Sequence, residues 1–142
     1  MIRRIKESDI KSIISLELET LNTTLGEKIF KDSLSNPMDK FYVYEDNEEV
    51  IGYLSISFDG YQGEILNFCV KKDFQNKGIG SSLLKFAIND LHNLGATSFI
   101  LEVRESNLAA ISLYNKFDFK EISIRKNYYS NGENAKVLIK EM

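Results

Sequence analysis

The chain has 142 residues, 43% of them apolar and 27% charged, and its 18 Lys and Arg against 21 Asp and Glu leave a net charge of −3. A length at the mode of single domains and an ordinary composition exclude the disordered, fibrous and membrane classes, and the lack of a basic block excludes a nucleic-acid footprint. One Cys and one His are too few for a disulfide framework or an ordinary zinc site, so metal-free chemistry in a reducing, cytoplasmic compartment is expected.

The first residues, Met1 to Glu7, carry charges where a secretory segment needs a continuous apolar stretch, and no run of about 20 apolar residues occurs anywhere. Ile2 to Ile5 alternate as a short strand. After Ser8-Asp9 the residues Ile10, Ile13, Ile14, Leu18 and Leu21 fall at helical spacing. Leu25 to Leu34 predict a second helix that stops near Asn36, because Pro37 disfavours helical geometry in the residue before it. Phe41 to Tyr44, a turn at Asp46-Asn47-Glu48, and Val50 to Ile56 predict a hairpin, and Ile65 to Val70 adds a third strand. From Gly78 the period changes. Ile79, Leu83, Leu84, Ala87, Ile88, Leu91 and Leu94 form one helical face, with Gly95 as a left-handed terminator. Phe99 to Val103 reads as a strand, Leu108 to Lys116 as a helix, and Phe119 to Ile124 and Lys136 to Ile139 as strands. No repeat, linker or low-complexity segment interrupts the series, which predicts one α+β domain over residues 1–142 with a mixed sheet.

The segment from Val70 through Gln75, Asn76, Lys77, Gly78, Ile79 and Gly80 to Ser81 joins a strand to the long helix. Its glycines let backbone approach a bulky anion, and the helix N-terminus offers unpaired N–H groups and a positive dipole end, so the loop is a candidate pyrophosphate cradle. It is neither of two better-known phosphate loops. A dinucleotide fingerprint needs a third small residue where Leu83 stands, and a P-loop needs Gly-Lys-Ser/Thr.

The Gln75-x-x-Gly78-x-Gly80 loop between strand and helix resembles the acetyl-CoA loop of the GNAT N-acetyltransferases. The likeness continues in Leu101-Glu102-Val103-Arg104-Glu105-Ser106-Asn107, in Ala109 to Tyr114, and in Ile124-Arg125-Lys126-Asn127-Tyr128-Tyr129. These blocks, in this order, are similar to the RimI-type enzymes, which acetylate the N-terminal alanine of a small-subunit ribosomal protein. The resemblance implies a mixed, mostly antiparallel twisted sheet of about seven strands flanked by about four helices. It implies Glu102 as general base and Tyr114 as the acid that protonates the departing thiolate. It also implies acetyl-CoA held by the backbone of Phe68, Cys69 and Val70, by the loop from Gln75 to Ser81, and by Asn107, with Tyr128 and Tyr129 flanking the acceptor. The expected partner is a ribosomal-protein N-terminal peptide or a small amine, and the expected state is a monomer or weak homodimer, without nucleic acid or membrane.

The residues also admit plainer readings. Phe99, Leu101 and Val103 share one face of their strand, which places Glu102 with Ile100 and Arg104 on the other, where it has a solvent role open to it. Tyr114 lies on the same helical face as Asn107, where a tyrosine packs as core with its hydroxyl at the rim. An N-cap role explains Asn107 by itself. Cys69 reads as a small buried residue, so direct transfer without an acetyl-cysteine is expected, and His92 reads as a surface residue. Three departures from the RimI pattern stand out. Thr23-Thr24-Leu25-Gly26 replaces a Pro-Trp-Ser stretch, Asp118 replaces a glycine, and Gly132-Glu133-Asn134-Ala135 replaces Gly-x-Asp-Ala. The alternatives to a RimI-type enzyme are an acetyltransferase of a polyamine, amino acid or aminoglycoside, and a non-catalytic acyl-CoA-binding module.

Overall fold

Seven strands and four α-helices follow one another along residues 1–142 in the computed structural model. The order is β1 (Ile2–Arg4), α1 (Ile10–Leu21), α2 (Glu27–Leu34), β2 (Asp39–Asp46), β3 (Glu49–Phe58), β4 (Gln62–Val70), α3 (Ile79–Asn93), β5 (Ser98–Arg104), α4 (Leu108–Lys116), β6 (Lys120–Arg125) and β7 (Ala135–Glu141). The strands make one sheet in the order β1-β2-β3-β4-β5-β7-β6. Every pairing is antiparallel except β4 with β5. No helix is long and apolar enough to cross a membrane.

Local chemistry sets the boundaries. α2 begins two residues later than its apolar pattern suggests, because Gly26 has φ +89 and cannot be helical. The β2–β3 hairpin turns through Asn47 and Glu48, both at positive φ (50° and 64°), as the primed turn of a two-residue hairpin requires. α3 and α4 end in the same device. Ala96 N–H donates to the Leu91 carbonyl past Gly95, and Phe119 N–H donates to the Tyr114 carbonyl past Asp118, which stands at φ 66. These are Schellman motifs, in which a left-handed residue lets the chain reverse and satisfy the last carbonyls.

Asp118 thus does a glycine's work with a Cβ attached. Asp118→Gly is expected to stabilise the fold by about 0.5–1 kcal/mol, the relief of left-handed strain exceeding glycine's added chain entropy. A rise in the denaturant midpoint checks it.

The sheet separates two apolar layers. α3 and α4 cover one face with Leu83, Leu84, Ala87, Leu91 and Tyr114 packed on Leu54, Ile56, Phe99, Leu101 and Val103. α1 and α2 cover the other with Ile10, Ile13, Leu16 and Phe30 packed on Phe41, Val43, Val50, Tyr53 and Cys69. α1 departs from its apolar reading: Leu18 and Leu21 are about half exposed, whereas Leu16 and the carboxylate of Glu17 are buried.

Where β4 still pairs with β5, Gly63 lies opposite Phe99, and a Cβ there would stand 2.8 Å from the Phe99 ring and 3.1 Å from Ile56. Phe99 has no exposed surface and nowhere to retreat. Gly63→Ala is therefore expected to destabilise by roughly 1–3 kcal/mol through overpacking, read as a lower denaturant midpoint.

Candidate active site

The parallel pairing of β4 and β5 is short. It runs from Gln62 opposite Ser98 to Ile65 opposite Leu101 and then ends, while both strands continue. β4 goes on to Val70 with β3 as its only partner, and β5 to Arg104 with β7 as its only partner. The β3–β4 register shifts where Ile56 faces Ile65 and Ser55 faces Asn67, which leaves Leu66 as an extra residue that bends β4 away. A wedge opens between the strands, one wall being the unpaired edge of Phe68, Cys69 and Val70. Their side chains alternate. Phe68 lies under α3, in ordinary contact distance of a Cβ built at Gly80 (3.5 Å), and Cys69 is buried in the α1 layer. Burial raises the Cys69 thiol's pKa, which makes it a poor nucleophile.

The loop from Gln75 to Ser81 closes one end of this wedge. Gln75 Nε2 donates to the Val70 carbonyl at 3.0 Å, tying the loop to the end of β4. Asn76 (φ 62) and Gly78 (φ 83) make left-handed steps that aim the chain into α3, and a Cβ at Gly78 would meet nothing within 4 Å. The first helical hydrogen bond is Ser82 N–H to the Gly78 carbonyl, so the N–H groups of Ile79, Gly80 and Ser81 have no intrahelical acceptor. Free amides, open space and a helix N-terminus fit the diphosphate of an acyl-CoA. Lys77 is turned over the Phe74 ring at 5.6 Å.

Glu102 and Tyr114 stand on opposite sides of the wedge. Along β5, Phe99, Leu101 and Val103 join the α3–α4 layer, so Glu102 points to the α1–α2 face. Tyr114 belongs to the α3–α4 layer, tilted against Phe68 and Phe119 with ring centroids 6.5 Å and 5.4 Å away. Burial raises the Tyr114 pKa, and no hydrogen bond contributes, so the phenol holds its proton. The side chain of Glu102 is 28% exposed; Arg125 Nε lies 3.4 Å from Oε1, while Oε2 is buried without a partner. A carboxylate oxygen left bare costs stability, and such costs concentrate where a protein does chemistry.

Tyr128 and Tyr129 line the Glu102 side. Their rings meet edge to face at 5.2 Å; Arg104 stacks on Tyr129 at 3.9 Å and Arg125 approaches Tyr128 at 5.7 Å. The negative charge of Glu102 raises the Tyr128 pKa. Asn107 is the N-cap of α4, its side-chain oxygen accepting from Ala110 N–H at 3.2 Å, which leaves its amide nitrogen free of that duty. His92 is exposed, as expected, with Nδ1 near the Ala96 carbonyl.

The structure therefore places the β4 edge and the free amides at the start of α3 about the point where β4 and β5 part, with Tyr114 on one face of the sheet and Glu102 on the other. Two groups nearby have no counterpart in the sequence reading. Arg125, quoted only as part of a motif, pairs with Glu102. Glu17, at the helical spacing of Ile10 and Ile13, is a buried carboxylate within an apolar stripe, and that position was its signal.

Comparison with known proteins agrees with this fold. The model of the acetyltransferase (GNAT) family matches residues 8–119. An N-alpha-acetyltransferase of Sulfolobus acidocaldarius is 34% identical over 94% of the chain and 88% of its own length. The ribosomal protein bS18-alanine N-acetyltransferase of Salmonella typhimurium is 42% identical over 72 residues, 51% of the chain and 49% of that protein. The crystal structure of the ribosomal-protein-S18-alanine N-acetyltransferase from Escherichia coli superposes with a TM-score of 0.91 at 27% identity, covering 99% of the chain and 92% of that structure.

Proposed function

The chain belongs to the acetyltransferase (GNAT) family, and on that premise we propose that it acetylates the N-terminal α-amine of a protein, with the terminal alanine of a ribosomal protein as acceptor. The observation that carries the proposal is the Glu102 carboxylate, with one oxygen buried and unpartnered, on a split sheet whose Tyr128–Tyr129 pair feels its charge at Tyr128. The relatives named for α-amine acetylation support it.

An amine attacks only when neutral. An α-amine with a pKa near 8 is roughly one-tenth neutral at pH 7, so a carboxylate acting directly or through one water is sufficient; a lysine amine near 10.4 asks more of the same base. Glu102 takes the ammonium proton on the α1–α2 face. Tyr128 and Tyr129 flank the approaching peptide, and Arg125 moves off Glu102 as the positively charged terminus arrives.

Acetyl-CoA, when bound, supplies the thioester carbonyl and a thiolate leaving group. The free amides at the start of α3 hold its diphosphate, Asn107 adds a side-chain contact, and the unpaired edge of Phe68, Cys69 and Val70 receives the pantetheine arm. A backbone N–H on that edge polarises the carbonyl, a contribution of about 3 kcal/mol in comparable sites. Tyr114, on the opposite face, gives its proton to the leaving sulfur. Base and acid on opposite faces let the proton be taken on one side and returned on the other. Cys69 takes no part, and transfer is direct.

Thiol release from acetyl-CoA tests the proposal, using a short peptide beginning Ala-Arg, the same peptide blocked at its N-terminus, and spermidine. Turnover confined to the free peptide is the expected result. Turnover on spermidine alone moves the function to small-amine acetylation on the same fold.

A further inference from the structure

Glu102 keeps one oxygen open although an arginine stands close along the same strand. Arg104 follows two residues on, about 6.6 Å along β5 and on the same face. A guanidinium near an unpartnered carboxylate oxygen is expected to close on it, since charge-assisted hydrogen bonds are the strong ones. Glu102 Oε2 is nevertheless buried without a partner, and the cation at this carboxylate is Arg125, 3.4 Å from Oε1.

Arg104 is held elsewhere. Its guanidinium lies over the Tyr129 ring at 3.9 Å, and its Nη1 donates to Glu133 Oε2 at 3.2 Å. Glu133 is itself fixed before it meets the arginine. Its Oε1 accepts from Ser106 N–H at 2.9 Å, its N–H donates to Asn131 Oδ1 at 3.0 Å, and its carbonyl accepts from Tyr129 N–H at 3.1 Å. Hydrogen bonds from Ser106, with Arg104 and Asn131 adding to them, hold the Glu133 carboxyl down at about 2, so the charge that meets Arg104 persists throughout the neutral range. An exposed ion pair restrains little by itself. Here the carboxylate is anchored on the connection between β5 and α4 and the guanidinium is stacked, so the two contacts act together. Tyr129 registers both charges: burial raises its pKa, Arg104 lowers it, and Glu102 raises it again.

We infer that Glu133 is a positioning residue for acceptor binding: by pairing with Arg104 it keeps that guanidinium on Tyr129 and off the open oxygen of Glu102. This rests on the reading of Glu102 as the group that meets the acceptor amine. Two guanidiniums share the strip of sheet beyond Glu102, since Arg104 in β5 and Arg125 in β6 both stand opposite Ala135 of β7. Arg125 makes one loose contact with Glu102. Set free, Arg104 takes the second oxygen and competes with the acceptor's ammonium for the carboxylate. Glu133 prevents that competition without touching the acceptor itself.

Glu133→Gln keeps an oxygen for Ser106 N–H and removes the charge that holds Arg104. The expected result is an acceptor KM raised about fivefold, the size of effect a partly exposed ion pair has. Both kcat and the acetyl-CoA KM are expected to stay within about twofold of wild type. Adding Arg104→Gln is expected to return the acceptor KM to within about twofold of wild type, because no guanidinium is left to compete. A crystal structure of Glu133→Gln is expected to show Arg104 off Tyr129 and paired with Glu102. A double variant as impaired as Glu133→Gln, or more so, would overturn the inference, since it marks Glu133 as a support of its own loop. An unchanged acceptor KM, or an Arg104 that stays on Tyr129, would overturn it as well. The acceptor used is whichever of the Ala-Arg peptide and spermidine the wild type turns over. Failure of the peptide therefore counts against the proposed function, while the double variant and the position of Arg104 still decide the role of Glu133.

Discussion

Glu102→Gln is expected to lower kcat/KM for a free Ala-Arg peptide by roughly 10²–10³-fold, which corresponds to about 3–4 kcal/mol of lost transition-state stabilisation. The substitution preserves size and removes the negative charge of a carboxylate whose Oε2 is buried without a hydrogen-bond partner. Steady-state kinetics check it alongside acetyl-CoA binding, which should be unchanged because the diphosphate cradle and the β4 edge are untouched. Thermal stability should not fall. The carboxylate's sole ion pair is a 3.4 Å contact to an Arg125 that is more than half exposed, and such pairs contribute little to folding. A large loss of activity without loss of stability marks a residue kept for chemistry.

Tyr114→Phe is the second large effect, with kcat expected to fall about 10²-fold. The hydroxyl draws no stabilisation from a hydrogen bond, so its removal should leave the fold intact while taking away the proton donor proposed for the leaving thiolate. The pH dependence follows from the sign of the shift. Burial raises the phenol's pKa, so its acid form persists beyond the ordinary tyrosine value of about 10. Wild-type kcat should therefore stay level on the alkaline side up to about pH 10. On the acid side, kcat/KM should rise with pH until the acceptor α-amine is neutral, near pH 8. A limb displaced above pH 10 would indicate a lysine-type or polyamine acceptor instead.

Much of the fold was legible because its elements carry strong local signals. The apolar period of α3, the strands around Asn47-Glu48, and Gly95 beyond α3 all correspond to elements in the structure. The cleft was legible where backbone chemistry leaves a mark, as at Gly78 and Gly80, or where a resemblance covers a whole block, as from Leu101 to Asn107. Long-range contacts between side chains were not legible. Nothing local indicates that Arg125 meets Glu102 or that Thr24 reaches Glu17, since these depend on how β6 and the α1–α2 connection are carried over the sheet. Leu18 and Leu21 misled for the same reason. They share helical spacing with Ile10 and Ile14, but the sheet lies under Leu16 and Glu17. Asp118 shows the converse. It stands where the RimI pattern has a glycine, it adopts left-handed geometry there, and it is the residue whose turn presses Phe119 against Tyr114.

Direct transfer to a protein's N-terminal α-amine is tested by one measurement: locating the acetyl group by tandem mass spectrometry on a peptide that begins Ala-Arg and carries an internal lysine, after incubation with the enzyme and acetyl-CoA. The account predicts a single acetyl group on the alanine nitrogen, dependent on Glu102. Acetylation of the lysine with the alanine amine left free would contradict it.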